Sequence, residues 1–162
     1  MKSLPDYFPH IAKEFPKTYI NEYPKSIINI EALKKGILVE IGAGAGNDLL
    51  WLLQNGISPE NIFSFETDEN AYKLQFELFH PTLKIYRAFQ FPLDLRQAHF
   101  PDQSFNFAYA NNVLHCLNDE EDVSSIMSEI YRLLKPRGIF FGRTLSNMID
   151  FKKIKKNYST KK

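Results

Sequence analysis

Cysteine is nearly missing from this sequence: Cys116 is the single thiol in 162 residues. One thiol excludes an internal disulfide and any metal centre built from several cysteines. No histidine, cysteine or carboxylate spacing of the metal-binding kind appears, so no metal site is expected. No apolar run approaches the length of a membrane span, and no basic stretch followed by an apolar one opens the chain. The expected location is therefore cytoplasmic, with no membrane partner. Net charge is small as well, at +1, but it hides an asymmetry. The last twelve residues carry six lysines and no acid, which leaves the rest of the chain at −5. An acidic body argues against a large nucleic-acid footprint and for a small-molecule substrate.

Hydrophobic residues make up 44% of the chain, enough for one α/β core. The stretch Ile37 to Leu50 organises it. Ile37-Leu38-Val39-Glu40-Ile41 reads as a short strand buried on both faces. Gly42, Gly44 and Gly46 then remove three side chains at alternate positions, so the backbone can turn sharply and a ligand can lie against it. Asn47-Asp48 opens a helix whose free N–H groups face the same place. Dinucleotide-binding corners of this kind carry Gly-x-Gly-x-x-Gly. Counted from Gly42, the third glycine position holds Asn47, so that pattern fails.

Along the chain, Pro5, Pro9, Pro16 and Pro24 keep any helix before residue 26 short. Tyr7, Phe8, Phe15, Tyr19 and Tyr23 among them dock that segment on the body or form a lid. Ser26 to Lys35 reads as a helix with Gly36 at C′, and a second helix from Asn47 stops at Gly56. Asn61 to Phe65 is a strand ending in Glu66, about twenty residues past the glycine loop, where nucleotide-binding folds hold ribose hydroxyls. Asp68 caps the helix from Glu69 to about Phe79. Further strands are expected at Lys84–Arg87, Phe105–Ala110 and Ile139–Thr144, with an amphipathic helix over Asp119–Leu134 before the last. Cys116 is expected to be a small apolar filler. His115 is expected to pack under its loop, hydrogen-bonded to backbone, rather than act as a general base.

Several motifs then line up in order. Glu40 precedes Gly42-Ala43-Gly44-Ala45-Gly46. Glu66-Thr67-Asp68-Glu69-Asn70-Ala71 follows the second strand. Asp94-Leu95, with Phe100-Pro101-Asp102 and Ser104-Phe105-Asn106, precedes the fourth. Val113-Leu114-His115-Cys116-Leu117 ends that strand, and Leu134-Lys135-Pro136-Arg137-Gly138 precedes the fifth. From Ile37 to Thr144 the chain resembles the class I S-adenosylmethionine-dependent methyltransferases of the type 11 kind. It departs from their pattern at Leu95, Ala98, His99, Asn106, Cys116 and Arg137.

The resemblance implies an α/β, Rossmann-like, doubly wound sheet in strand order 3-2-1-4-5. Only eighteen residues follow Thr144, so the family's last two strands are expected to be lacking. The organisation expected is an N-terminal helical segment over 1–36, a cofactor-binding core over 37–146 and a basic tail over 147–162. The fifth strand would then be an edge, covered by a second copy in a homodimer or by the tail. The implied cofactor is S-adenosyl-L-methionine, leaving S-adenosyl-L-homocysteine as product. Its site would draw on Glu40 near the methionine amino group, on Gly42, Ala43, Gly44 and Gly46, on Glu66 and Thr67 at the ribose, on Asp94 and Leu95 at the adenine, and on Asn111. Tyr109, Asn111, Asn112 and His115 are the substrate-side candidates. No Asn-Pro-Pro-Tyr, Asp-Pro-Pro-Tyr or Pro-Cys occurs, which speaks against methylation of nucleobases. The expected function is methyl transfer by in-line displacement. The alternative is a shortened cofactor-binding module that acts without catalysis through a partner.

Overall fold

The computed structural model describes residues 28–79 and 94–144, with the side chains of 76–79 outside that description. Four parallel strands form one sheet in the order β2-β1-β3-β4. They are β1 (Leu38–Ile41), β2 (Ile62–Phe65), β3 (Phe105–Asn111) and β4 (Leu134–Arg143). The helices are α1 (Ile30–Leu33), α2 (Asn47–Gln54), α3 (Glu69–Phe79) and α4 (Glu120–Leu133). The order 2-1-4-5 expected for these strands is therefore present. The expected strand Lys84–Arg87, the aromatic segment before residue 26 and the 147–162 tail lie outside the described residues.

Every residue of β1 is buried, as a central parallel strand requires. Its alternate side chains feed two cores. Leu38 packs with Leu33, Leu49, Leu52, Ile62 and Tyr109 on the α2 side. Val39 and Ile41 pack with Phe65, Leu95, Phe105, Ile126 and Ile130 on the α4 side. On that second face Phe63, Phe65, Phe100 and Phe105 meet edge to face, with centroids 5.0–5.9 Å apart. Such pairs add about 0.5–1.5 kcal/mol each beyond the area they bury.

Local signals account for most element ends. Asn29 caps α1, Asp68 caps α3 and Asp119 caps α4, each by accepting a backbone N–H. Gly56 ends α2 at φ +81°. Three expectations are corrected. The helix expected over Ser26–Lys35 spans only Ile30–Leu33, because Asn29 is extended and caps it. Gly36 does not adopt the left-handed C′ conformation; it is glycine because a Cβ there would come within 2.5 Å of the Phe107 ring and 2.9 Å of Asn106 Cβ. The last strand starts earlier than Ile139, because Leu134 already pairs with Phe105 before an irregularity returns the register at Phe107↔Ile139. Within that irregularity Arg137 takes φ +65° at the position where the resembling family has glycine. No helix among the described residues is long and apolar enough to cross a membrane.

Candidate functional site

The order of the sheet reverses between β1 and β3, and ligands of open α/β sheets bind in the crevice beyond the strand ends at such a point. The glycine loop lies there, joining β1 to α2. Gly42, Gly44 and Gly46 all take positive φ, at +66°, +56° and +84°. Gly42 is constrained twice, since a Cβ on it would come within 2.3 Å of Val113 Cγ2, on the segment after β3. Four loop amides are engaged within the protein. Gly42 N–H and Ala43 N–H both donate to the Phe65 carbonyl, Gly46 N–H to the Ala43 carbonyl, and Gly44 N–H to Glu66 Oε2 at 2.6 Å. A phosphate-binding loop needs such amides free.

Side chains from two other elements hold the middle of this loop. Glu66, at the end of β2, accepts from Gly44 N–H and, on its other oxygen, from Asp68 N–H at 2.7 Å. The Thr67 N–H also stabilises this carboxylate, but burial dominates and pushes its pKa up. From α3, Gln75 donates its amide to the Gly44 carbonyl although it is only 1% exposed. Gly44 is thus gripped at both its N–H and its C=O. Gln75 was not legible as a site residue; the available signal was a polar side chain four residues after the buried Ala71, on the core face of an amphipathic helix.

A second buried polar group crosses from α2 to β3. Asp48 Oδ2 accepts from the Tyr109 hydroxyl and from Asn111 Nδ2 at 3.1 Å. An acid in a first turn reads as a complement to the helix dipole; here it is 8% exposed and faces the sheet. Glu40, on β1, is 2% exposed and accepts from Ser64 Oγ at 2.7 Å. Its pKa is pushed up to about 8, first by burial and then by the charge of Asp48, with Glu66 adding a smaller push. Glu40 therefore holds its proton at neutral pH, within electrostatic reach of Asp48 and Glu66.

Asp94 caps a short 3-10 turn (Leu95–Gln97), and Arg96 holds both its oxygens, which keeps its pKa low. Arg96 also pairs with Asp122 at 2.9 Å, tying this turn to α4. Leu95 is 2% exposed and belongs to the α4-side core. Asn112 turns the chain away from β3 at φ +55°, with its N–H on the Arg143 carbonyl. His115 Nδ1 lies 3.2 Å from Thr144 Oγ1, a side-chain partner where backbone was expected. Cys116 is exposed, which corrects the expectation of an apolar filler. Its Sγ rests against the Asn112 carbonyl, and partial burial together with the Glu66 charge raises the thiol pKa, so it is not an activated nucleophile. No group of three or more potential metal ligands occurs among the described residues.

The methyltransferase-domain family matches residues 39–142, from β1 through β4. The chain belongs to this family. A search of curated proteins returned no match. Among solved structures, a protein of Methanococcus maripaludis described as an S-adenosylmethionine-dependent methyltransferase is 17% identical with a TM-score of 0.64, over 86% of this chain and 62% of its own. A methyltransferase dependent on the same cofactor from Aquifex aeolicus is 17% identical with a TM-score of 0.55, over 83% and 69%. The [4+2]-cyclase SpnF is 19% identical with a TM-score of 0.54, over 70% and 42%. The methyltransferase domain thus spans less than two thirds of the first and last of these. At such identities the likeness shows the fold, and the cyclase illustrates that fold alone does not fix the reaction.

The methyltransferase family implies S-adenosylmethionine, and the residues present fit it. Asn111 Oδ1 is a buried acceptor with no hydrogen-bond partner. Glu66 accepts from Gly44, Asp68 and Thr67 N–H groups, and of the roughly four lone-pair sites of a carboxylate this leaves one for a ribose hydroxyl. Glu66 Oε2 takes the Gly44 amide that a pyrophosphate would need, so the loop disfavours a dinucleotide.

Proposed function

We propose that this methyltransferase domain binds S-adenosylmethionine at the glycine loop and transfers its methyl group to a small-molecule acceptor. The observation that carries the reading is a loop whose amides at 42, 43, 44 and 46 are already engaged, one of them by Glu66, level with the unpartnered Asn111 Oδ1. Such a loop has none of those amides free for a pyrophosphate and offers acceptors to a ligand's hydroxyl and amine groups. When bound, the cofactor supplies an electrophilic methyl group for in-line displacement.

The chain's own residues bind and orient. Glu66 takes a ribose hydroxyl while its grip on Gly44 fixes the loop. Asp94, with a lone pair left on Oδ2 beside Arg96, would accept from the adenine amino group. Asn111, Asn112 and His115 stand at the end of β3 or just beyond it and would line the acceptor side. Tyr109, expected there too, is buried in the α2-side core with its hydroxyl on Asp48 and supports the site from beneath. None of these needs to act as a strong base if the acceptor is an amine or an acidic hydroxyl, so proximity and exclusion of water carry the rate. The acidic body favours a small acceptor over nucleic acid.

The test is a transfer assay with methyl-labelled cofactor against panels of amines, hydroxyls, thiols and carbon acids. Label in a product, with S-adenosylhomocysteine formed in equal amount, is expected. Cofactor binding without transfer to any acceptor would contradict catalysis and favour a non-catalytic module.

A further inference from the structure

Asn111 is bonded at one end of its amide and free at the other. Its Nδ2 donates to Asp48 Oδ2 at 3.1 Å, whereas its buried Oδ1 has no partner. Leaving a buried acceptor unsatisfied is costly, and a ligand that brings a donor offsets it. The place is specific. Ala110 is in register with Ile41, so Asn111 stands level with Gly42 across the point where the sheet order reverses.

The partner of the bonded end decides which end stays free. A carboxylate can only accept. Turning the amide over would set Oδ1 against Asp48 Oδ2, acceptor against acceptor. The Tyr109 hydroxyl donates to the same oxygen and holds it in place. Asp48 therefore commits Asn111 to present an acceptor, never a donor, at the loop.

We propose that Asp48 is a positioning residue that acts through Asn111, and that the group it selects is a protonated amine, the amino end of the cofactor's methionine chain. This rests on the cofactor reading above. Asp48 need not touch the ligand; it selects the amide face that does. A ligand with the same adenosine and chain but no amino group gains nothing from that face.

The experiment is a titration of the full chain with S-adenosylhomocysteine and with its analogue in which hydrogen replaces the amino group. Wild type, Asp48→Asn and Asn111→Ala are compared, with thermal midpoints alongside. Asn at 48 keeps the size but presents either a donor or an acceptor to Asn111, so the amide face is no longer fixed. Expected is a loss of about tenfold in affinity for S-adenosylhomocysteine in both variants, as for one charge-assisted hydrogen bond, with the analogue's affinity within twofold of wild type. Equal losses for both ligands, or none for either, would overturn the inference while leaving the cofactor reading intact. Should Asp48→Asn not fold, Asn111→Ala decides by the same criterion. Failure of wild type to bind S-adenosylhomocysteine at all would overturn the cofactor reading and this inference together.

Discussion

Arg137 carries a conformational cost that glycine would not. It holds φ +65° in an exposed turn of β4, where a side chain crowds the following carbonyl at a cost of roughly 1–2 kcal/mol. Arg137→Gly is expected to stabilise the fold by about 0.5–1 kcal/mol after glycine's entropy is subtracted. A higher urea midpoint at unchanged slope is the check. Gly42 is the opposite case. Gly42→Ala adds a methyl at φ +66° within 2.3 Å of Val113 Cγ2, so it is expected to destabilise by about 2–4 kcal/mol, the left-handed and overpacking costs together. Adding Val113→Ala should recover the overpacking part alone, which a double-mutant cycle on thermal stability reads directly.

Among elements, the glycine loop depends on α3 as much as on its own glycines. Gln75 holds the Gly44 carbonyl from a helix that starts after β2. Gln75→Met keeps length and removes the donor. Amide exchange across 42–46 is expected to quicken about tenfold, the equivalent of one lost hydrogen bond. Unchanged exchange would mean that Glu66 alone fixes the loop. The strand, glycine and helix pattern was legible because it is local: Ile37 to Leu50 encodes its turn in residue types. Glu66 was legible because its distance from the loop follows from one strand–helix–strand unit. Gln75, Val113 and Asp48 were not, because their roles depend on which surfaces the fold brings together. The surroundings of Asp94 and Leu95 were likewise outside the motif: Arg96 binds the one and the α4-side core packs around the other, while their place at the adenine is part of the proposal.

For the whole molecule, the buried carboxylates make stability depend on pH. Burial and the Asp48 charge raise Glu40 from 4.5 to about 8. The folded state then binds a proton that the unfolded state releases earlier. The resulting stabilisation is complete below about pH 4.5 and is lost as pH rises to about 8. Glu40→Gln should flatten that decline, as read by urea unfolding between pH 5 and pH 9, and an equally steep decline in the variant would refute the assignment. The strands themselves were legible as short apolar runs, while their order β2-β1-β3-β4 came from the family resemblance. The early start of β4 was not, because it arises from pairing of Leu134 with Phe105 across a register irregularity.

Binding of S-adenosylmethionine rather than a dinucleotide by the loop and Glu66 together is tested by calorimetric titration of wild type and Glu66→Ala with S-adenosylmethionine, S-adenosylhomocysteine and NAD. Expected are micromolar binding of the first two by wild type, loss of both in Glu66→Ala, and no binding of NAD. Binding of NAD, or S-adenosylhomocysteine affinity indifferent to Glu66→Ala, would contradict it.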